Sequence, residues 1–416
     1  MLRGESFPPN EYDQYFELPP AGQAHQSMTE RAVERDLFSQ SVGKSPGPDT
    51  LSFGAVCLLW RWDKERIVKL AKAVVRTGRH PAMWKRASGV VLCKPGKDDD
   101  TKLKAYHSIS LLSSLGKVVE KVVAELLAEV AKRRGLLSHS QYGSRRRRSA
   151  IDAAAVMVDR AHAAWGEGSI AGVLLMDIKA AFPSMGRGRL IYTMRGKGLD
   201  GDLICWMPSF LSDQTFAMVI EGNGMERHPV EAGIPQGSLV SLILFAIDTS
   251  GHMKWVEERV AENEGLSFVD DVGWAATGSD VNQVVRKLEA CARESIDWAE
   301  RRELEFDTAK TEAVLFTRRR GHKKHLRPKP TAMIRVGNGY IKFNKEATRW
   351  LGVWMDTHLR FKEHHNRCMK KARATEARLR SLTAMYGIVP ACVSAVQIAW
   401  VQAVTLYGSE LWWDPM

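Results

Sequence analysis

The sequence predicts a mixed α+β fold, and three patterns carry that expectation. Gly172 to Met176 is a short apolar run closed by Asp177, the pattern of a strand buried on both faces that delivers a carboxylate at its end. Leu266 to Ala275 reads as a tight hairpin with apolar arms and Asp270 and Asp271 at its tip. Helical stripes are the third pattern. Val118, Val119, Val122, Val123, Leu126, Leu127 and Val130 line one face of Leu115 to Arg134, which Gly135 terminates. A second stripe runs through Val281, Val284, Val285, Leu288, Ala292 and Ile296.

The remaining elements follow in order. About 40 residues at the start mix Pro, Gln, Glu and aromatics without a clear period, then enter the turn formers Lys44-Ser45-Pro46-Gly47-Pro48-Asp49, so they are expected to be a lead-in and not a domain. A strand is expected at Ala313 to Thr317. Past Arg349-Trp350-Leu351-Gly352 the chain turns Arg- and Lys-rich and helical, with interruptions at Gly387 and Pro390.

At 416 residues and 44% hydrophobic content, the chain is long enough for a sizeable core and two or three subdomains. Lys and Arg number 60 against 48 Asp and Glu, a net charge of +12 that favours a polyanionic partner, with nucleic acid the leading candidate. Cys57, Cys93, Cys205, Cys291, Cys368 and Cys392 form no CxxC pair, which argues against a structural zinc or a disulfide framework and for mostly core thiols in a reducing compartment. The start lacks an apolar signal stretch, and no run reaches the ~18 apolar residues of a membrane span. A soluble, intracellular protein without a membrane partner is expected.

Asp270 and Asp271 are flanked by Phe268, Val269, Val272 and Trp274, so the backbone that carries them is anchored in a packed sheet. Two adjacent carboxylates so placed repel one another unless a cation lies between them. Taken alone the pair also reads as a solvated turn. Asp177, at the end of another buried strand, is the acid expected to complete a carboxylate cluster suited to Mg²⁺. Two such ions, about 3.5–4 Å apart, stabilise both the attacking and the leaving oxygen of an in-line phosphoryl displacement.

Three segments, Asp177-Ile178-Lys179-Ala180-Ala181-Phe182, Gly233-Ile234-Pro235-Gln236-Gly237-Ser238 and Phe268-Val269-Asp270-Asp271, resemble in that order three successive motifs of reverse transcriptases. The wider match is to the enzymes of non-LTR (LINE-type) retrotransposons. Lys94-Pro95-Gly96-Lys97 with Ala105-Tyr106 and Ile109-Ser110-Leu111-Leu112 resembles their fingers motifs, and Phe306-Asp307-Thr308-Ala309-Lys310-Thr311 their lysine motif. Trp350-Leu351-Gly352 resembles their primer grip, and Tyr407-Gly408-Ser409-Glu410-Leu411-Trp412-Trp413 their thumb end. The resemblance covers most of the chain. It implies a right-hand polymerase with fingers, a ferredoxin-like palm and a partial helical thumb. Residues 1–75 would be the lead-in and fingers extension, 76–353 the fingers and palm core, and 354–416 the thumb.

The resemblance also implies roles. Asp177 and Asp270 would ligate two Mg²⁺ ions, with Asp271 completing the cluster and the Ile178 carbonyl as a backbone ligand. Lys310 would protonate the pyrophosphate leaving group, and Phe182 would pack under the incoming sugar and exclude a 2′-hydroxyl. Gln236 and Gly237 would border nucleotide and template, while Lys94 and Lys97 would contact triphosphate or template. Plainer alternatives are a core phenylalanine at Phe182 and solvated lysines at Lys94, Lys97 and Lys310. Arg145 to Arg148, and Arg318-Arg319-Arg320 with His322-Lys323-Lys324, offer charge for phosphate contacts. The implied partners are an RNA template, a DNA primer and deoxyribonucleoside triphosphates, acting in the nucleus by analogy with target-primed elements, and no room remains for an endonuclease or ribonuclease H domain.

Six positions depart from the family pattern. His107 and Ser108 replace Arg-Pro, Leu239 and Leu242 replace prolines, Arg147 stands where Gly is common and Gln214 where Arg is. Each change is reachable by one C-to-T or G-to-A transition, which points to a decaying copy of an element with impaired catalysis. At His107 the family arginine grips the triphosphate, and a charge-assisted contact of that kind is worth ~1.5–3 kcal/mol. The rival class is a reverse-transcriptase-like protein kept for RNA binding after catalysis was lost. Intact Asp177, Asp270 and Asp271 count against it. A group II intron maturase is disfavoured by the thumb end.

Overall fold

The computed structural model describes residues 22–93, 106–220, 223–224, 226–317, 332–386 and 390–412. In chain order its elements begin with α1 (Glu30–Phe38), α2 (Phe53–Arg76), β1 (Arg86–Cys93), β2 (Tyr106–Leu111), α3 (Ser114–Arg133), α4 (Ala150–Gly166) and β3 (Ile170–Asp177). There follow α5 (Arg187–Gly196), α6 (Gly201–Leu211), β4 (Thr215–Ile220), β5 (Asn223–Gly224), β6 (His228–Pro229), α7 (Leu239–Thr249) and α8 (Gly251–Glu257). Next come β7 (Asn263–Phe268), β8 (Asp271–Gly278), α9 (Val281–Glu300), β9 (Glu312–Phe316), β10 (Met333–Val336) and β11 (Gly339–Asn344). The last are β12 (Thr348–Trp350), β13 (Val353–Met355), α10 (Lys362–Tyr386), α11 (Pro390–Gln397) and α12 (Ala403–Thr405). This is the mixed helix and sheet fold expected, with the two helical stripes realised as α3 and α9.

The chain forms two compact units, one from Met1–Ser138, Lys179–Gly251 and Arg301–Leu304, the other from His139–Ile178, His252–Glu300 and Glu305–Met416. In the first, a sheet in the order β2-β1-β4-β5, with β6 also on β4, pairs β1 antiparallel to β2 and parallel to β4. In the same unit Trp206 stacks on Phe210 at 4.6 Å. His80 fits edge-on against Trp84, Trp206 and Phe210, and burial lowers its pKa to about 4. Part of the stretch that showed no period is helical. Thr29 caps α1 by accepting from the Ala32 amide, and Val33 and Leu37 are fully buried.

The second unit is organised by β3, the central strand of a sheet ordered β10-β11-β9-β3-β8-β7. β3 runs antiparallel to β8 and to β9, and every residue from Ile170 to Met176 is buried, as an apolar run with covered faces requires. Helix α4, opened by a capping box between Ser149 and Asp152, brings Ala153, Ala154, Met157 and Val158 into one core with Val173, Leu175, Trp350 and Val353. Helix α9 buries Val281, Val284, Leu288 and Trp298 in the same unit. His252 lies 4.7 Å from Trp298 and edge-on to Trp274, and burial lowers its pKa to about 3.

The expectation of mostly core thiols holds for Cys291 and Cys368; Cys57 and Cys205 are half-buried and Cys392 is exposed, all five as free thiols. Among the described residues no helix is long and apolar enough to cross a membrane.

Candidate active site

Strand β3 delivers Asp177 directly opposite Asp271, the first residue of β8. The β7–β8 turn consists of Val269 and Asp270, between the paired residues Phe268 and Asp271. Val269 takes φ +61°, a position in a two-residue hairpin that normally suits glycine. Holding a β-branched residue there costs on the order of 1–3 kcal/mol, strain of the kind found at functional sites. Backbone hydrogen bonds tie the segments together, since the Ile178 amide donates to the Asp270 carbonyl at 3.2 Å and the Asp307 amide to the Asp177 carbonyl at 2.8 Å. The three aspartates therefore stand at one end of adjacent strands, with Ile178 buried beside them.

Lys310 follows in the turn after Phe306. Its Nζ lies 2.5 Å from Oδ2 of Asp177 and 3.5 Å from Oδ2 of Asp307. The hydrogen bond to Asp177 is the largest of the influences that raise the Lys310 pKa. Burial pushes Asp271 up to about 6, the neighbouring Asp270 and Asp177 add to the rise, and Lys310 and Arg349 oppose it. Asp270 is raised as well, first by burial and then by Asp177. A partly buried group of acids that resists full ionisation is one that a cation would relieve.

Carboxylates are hard oxygen donors, so in charge and chemistry this set fits a divalent cation such as Mg²⁺. As they stand, however, no three carboxylate, histidine or cysteine side chains among the described residues converge tightly enough to enclose an ion. The expected ligand set of Asp177, Ile178, Asp270 and Asp271 is thus brought to one place but not closed around a point. Asp177 instead forms an ion pair with Lys310.

Two residues here went unassigned in the sequence. Asp307 shares the Lys310 ammonium, and Arg349 bears electrostatically on Asp271. Arg349 is exposed between the buried Thr348 and Trp350, an alternation that the structure shows and the sequence, with a polar Thr348, did not.

The expected primer grip is the β12–β13 turn, with Trp350 paired to Val353 and both Leu351 (φ +48°) and Gly352 (φ +87°) left-handed. That is the standard two-residue hairpin geometry. Trp350 itself is 3% exposed and belongs to the core, so its indole anchors the turn from within.

In the other unit, Phe182 is half-buried with its ring 5.5 Å from that of Phe245, and its carbonyl accepts from the Ile234 amide at 3.0 Å. A Cβ on Gly233 would fall 2.5 Å from that same carbonyl, so only glycine permits the approach. Arg187 donates to the carbonyls of Gly233 at 2.8 Å and Val230 at 2.7 Å. Gln236 and Gly237 are exposed just beyond, beside a cleft lined by Ser110, Pro183, Gln214 and Gln236. Ser238 caps α7 and donates to Oε2 of the buried Glu120 at 2.5 Å.

Arg145 and Arg148, expected on phosphates, direct donors to the Gln141 carbonyl at 3.3 Å each, and Arg148 also lies over the Tyr142 ring. Arg147 takes φ +61°, the left-handed region that favours glycine. The His107 backbone pairs with Leu92 in the β1–β2 ladder. The His107 side chain, Lys94, Lys97 and the run Arg318 to Lys324 lie outside the described residues.

The sequence matches the family described as "Reverse transcriptase (RNA-dependent DNA polymerase)" over residues 94–355. It is 24% identical over 90% of its length to the "Probable RNA-directed DNA polymerase from transposon BS" of Drosophila melanogaster, covering 41% of that protein. It is 25% identical over 86% of its length to the "RNA-directed DNA polymerase from mobile element jockey" of the same fly, covering 38%. The chain thus spans about two-fifths of the length of these curated relatives. Among solved structures, an apo telomerase from Candida tropicalis is similar with a TM-score of 0.42 and 13% identity, over 57% of this chain and 51% of that one.

Proposed function

This chain belongs to the reverse transcriptase (RNA-dependent DNA polymerase) family, and we propose that it extends a DNA primer on an RNA template as the polymerase of a non-LTR retrotransposon. The observation that carries the proposal is the pairing of Asp177 with Asp271 across adjacent strands, with Asp270 in the strained turn beside them. In right-hand terms the six-stranded sheet belongs to the palm, and α10 begins the thumb.

Asp177 and Asp270, with Asp271 next to them and the Ile178 carbonyl, would hold two Mg²⁺ ions. Bound there, the ions supply positive charge to the attacking and leaving oxygens of nucleotidyl transfer. Lys310, already charged and hydrogen-bonded to Asp177, is suited to give its proton to the departing pyrophosphate. Phe182, braced on Phe245 and tied through its carbonyl to Ile234, is suited to exclude a 2′-hydroxyl by bulk. Gln236 and Gly237, exposed at the end of a braced loop, would border the nucleotide and template, and the Leu351–Gly352 turn would meet the primer.

The copy is proposed to be an impaired one. Arg147 occupies a left-handed backbone, and Leu239 stands at the first position of α7, where a family proline would be preorganised and its missing N–H harmless. At both places the family residue suits the backbone better than the one present. Nuclear action is proposed from the same family kinship.

The test is primer extension on an RNA template with Mg²⁺ and deoxyribonucleoside triphosphates. Asp270→Asn should abolish extension and leave RNA binding nearly intact, because it removes one ligand charge with little change of shape. Extension at the wild-type rate in that variant would overturn the assignment.

A further inference from the structure

The thumb-end motif beginning Tyr407-Gly408-Ser409 has no part in the roles above, yet it closes on the β12–β13 turn. The Tyr407 hydroxyl donates to the Leu351 carbonyl at 2.7 Å. A Cβ on Gly352 would stand 3.0 Å from the Tyr407 ring and its hydroxyl, so the turn lies against the side chain that bonds it. Tyr407 is fixed at its other end too. Its carbonyl lies 2.7 Å from Nε2 of His364 on α10, and Nδ1 of that imidazole lies 3.4 Å from the Trp354 amide. The pair of contacts requires Nε2 to carry the proton and donate while Nδ1 accepts.

His364 is only 1% exposed, so this geometry is built into the fold and is not a surface accident. Gly408 (φ +72°) makes the turn that permits it, for a Cβ there would come within 3.2 Å of the same imidazole nitrogen. Leu411 and Trp412 pack on the core that holds Trp350 and Val353, and Trp412 meets His365 edge-on at 5.8 Å. The motif is therefore anchored at Tyr407 and again at Leu411 and Trp412.

A Leu-Gly turn with both residues left-handed has cheap alternatives, because leucine disfavours that region. A hydrogen bond on the Leu351 carbonyl selects one of them. We propose that Tyr407 is a positioning residue, a latch that holds the Leu351–Gly352 turn in the form that receives the primer strand, with His364 fixing the latch. The proposal rests on the Trp350-Leu351-Gly352 turn being the primer grip.

The test compares wild type, Tyr407→Phe and Leu351→Asp in the full chain, using an annealed DNA-primer/RNA-template duplex. Duplex affinity is read by fluorescence anisotropy without nucleotides, and KM for primer–template, KM for nucleotide and the thermal midpoint are read alongside. Tyr407→Phe keeps the ring packing and loses only the hydroxyl. It should weaken duplex affinity and raise the primer–template KM about three- to tenfold, the worth of one hydrogen bond, with nucleotide KM unchanged and no more than the small drop in thermal midpoint that one lost hydrogen bond brings. Leu351→Asp places a negative charge in the turn itself and should weaken duplex binding more. If Leu351→Asp weakens binding and Tyr407→Phe does not, the latch is overturned and the primer grip stands. If neither weakens it, the turn does not meet the primer and the primer-grip assignment falls with the latch. If Tyr407→Phe shifts both KM values together, Tyr407 is a structural support only and the proposal is overturned.

Discussion

Lys310 places its ammonium 2.5 Å from Oδ2 of Asp177, and Asp177 is the register partner of Asp271. The same ammonium opposes the rise of both the Asp270 and Asp271 pKa values, so one side chain bears on all three acids. Replacing it tests charge and proton transfer separately. Lys310→Met should slow single-turnover nucleotide addition about 10²-fold or more, the usual contribution of a positioned general acid. Lys310→Arg keeps the charge but cannot readily release a proton, so it should be nearly as slow. An arginine variant at the wild-type rate would show that Lys310 supplies charge alone.

His252 sets an acid limit on stability. Burial lowers its folded pKa to about 3, whereas an unfolded histidine titrates near 6.5. The unfolded chain therefore takes up a proton that the folded chain refuses. Stability is fully present above about pH 6.5 and is lost progressively as pH falls towards 3, by about 5 kcal/mol at most. His252→Leu should flatten the fall in thermal midpoint between pH 7.5 and 4.5, leaving the smaller contribution of His80 in place. Parallel acid limbs for the two proteins would count against this account.

Arg147→Gly should stabilise the protein. The left-handed conformation costs a side-chain-bearing residue ~1–2 kcal/mol, partly offset by the greater freedom of glycine in the unfolded chain. A net gain of about 0.5–1 kcal/mol is expected, read as a higher midpoint in urea. A lower midpoint would mean that the exposed arginine makes a compensating contact.

Phe182→Val should raise incorporation of ribonucleotides relative to deoxyribonucleotides in extension assays. It should also cost roughly 1 kcal/mol of stability, because the half-buried ring loses part of its contact with Phe245. An unchanged ratio with the stability loss would return Phe182 to a packing role.

The acids were legible because their signals are local. An apolar run ending in Asp177 and a hairpin with Asp270 at its tip are read from a few neighbouring residues, and the pairing of β3 with β8 then joins them. Contacts between distant segments carried no such signal. The parallel pairing of β1 with β4 and the bond from Tyr407 to Leu351 depend on chain closure that no short pattern announces. Helix α1 was hidden because its nine residues are mostly charged or polar, and its buried face includes Asp36, which is paired with Arg35. Trp350 was placed with the primer grip, yet its ring faces the core, since a tryptophan beside a tight turn serves either purpose in a linear pattern. The carbonyl bonds of Arg145 and Arg148 were equally invisible, because a run of arginines records charge and not what each fork meets.

The position of β3 has a consequence for biosynthesis. It is the central strand of its sheet and the first of that sheet to leave the ribosome, while β8 and β9, which cover its two edges, are encoded far downstream. At ~5–20 residues per second, the Ile170–Met176 stretch waits for several seconds or longer with both edges unpaired. An apolar strand in that state can template pairing with another nascent copy. Ribosome-bound chains halted before Asp271 will therefore be adhesive and dependent on holdase chaperones, and those extended past Phe316 will not. Slowing translation over the intervening stretch will lower soluble yield without altering the folded protein.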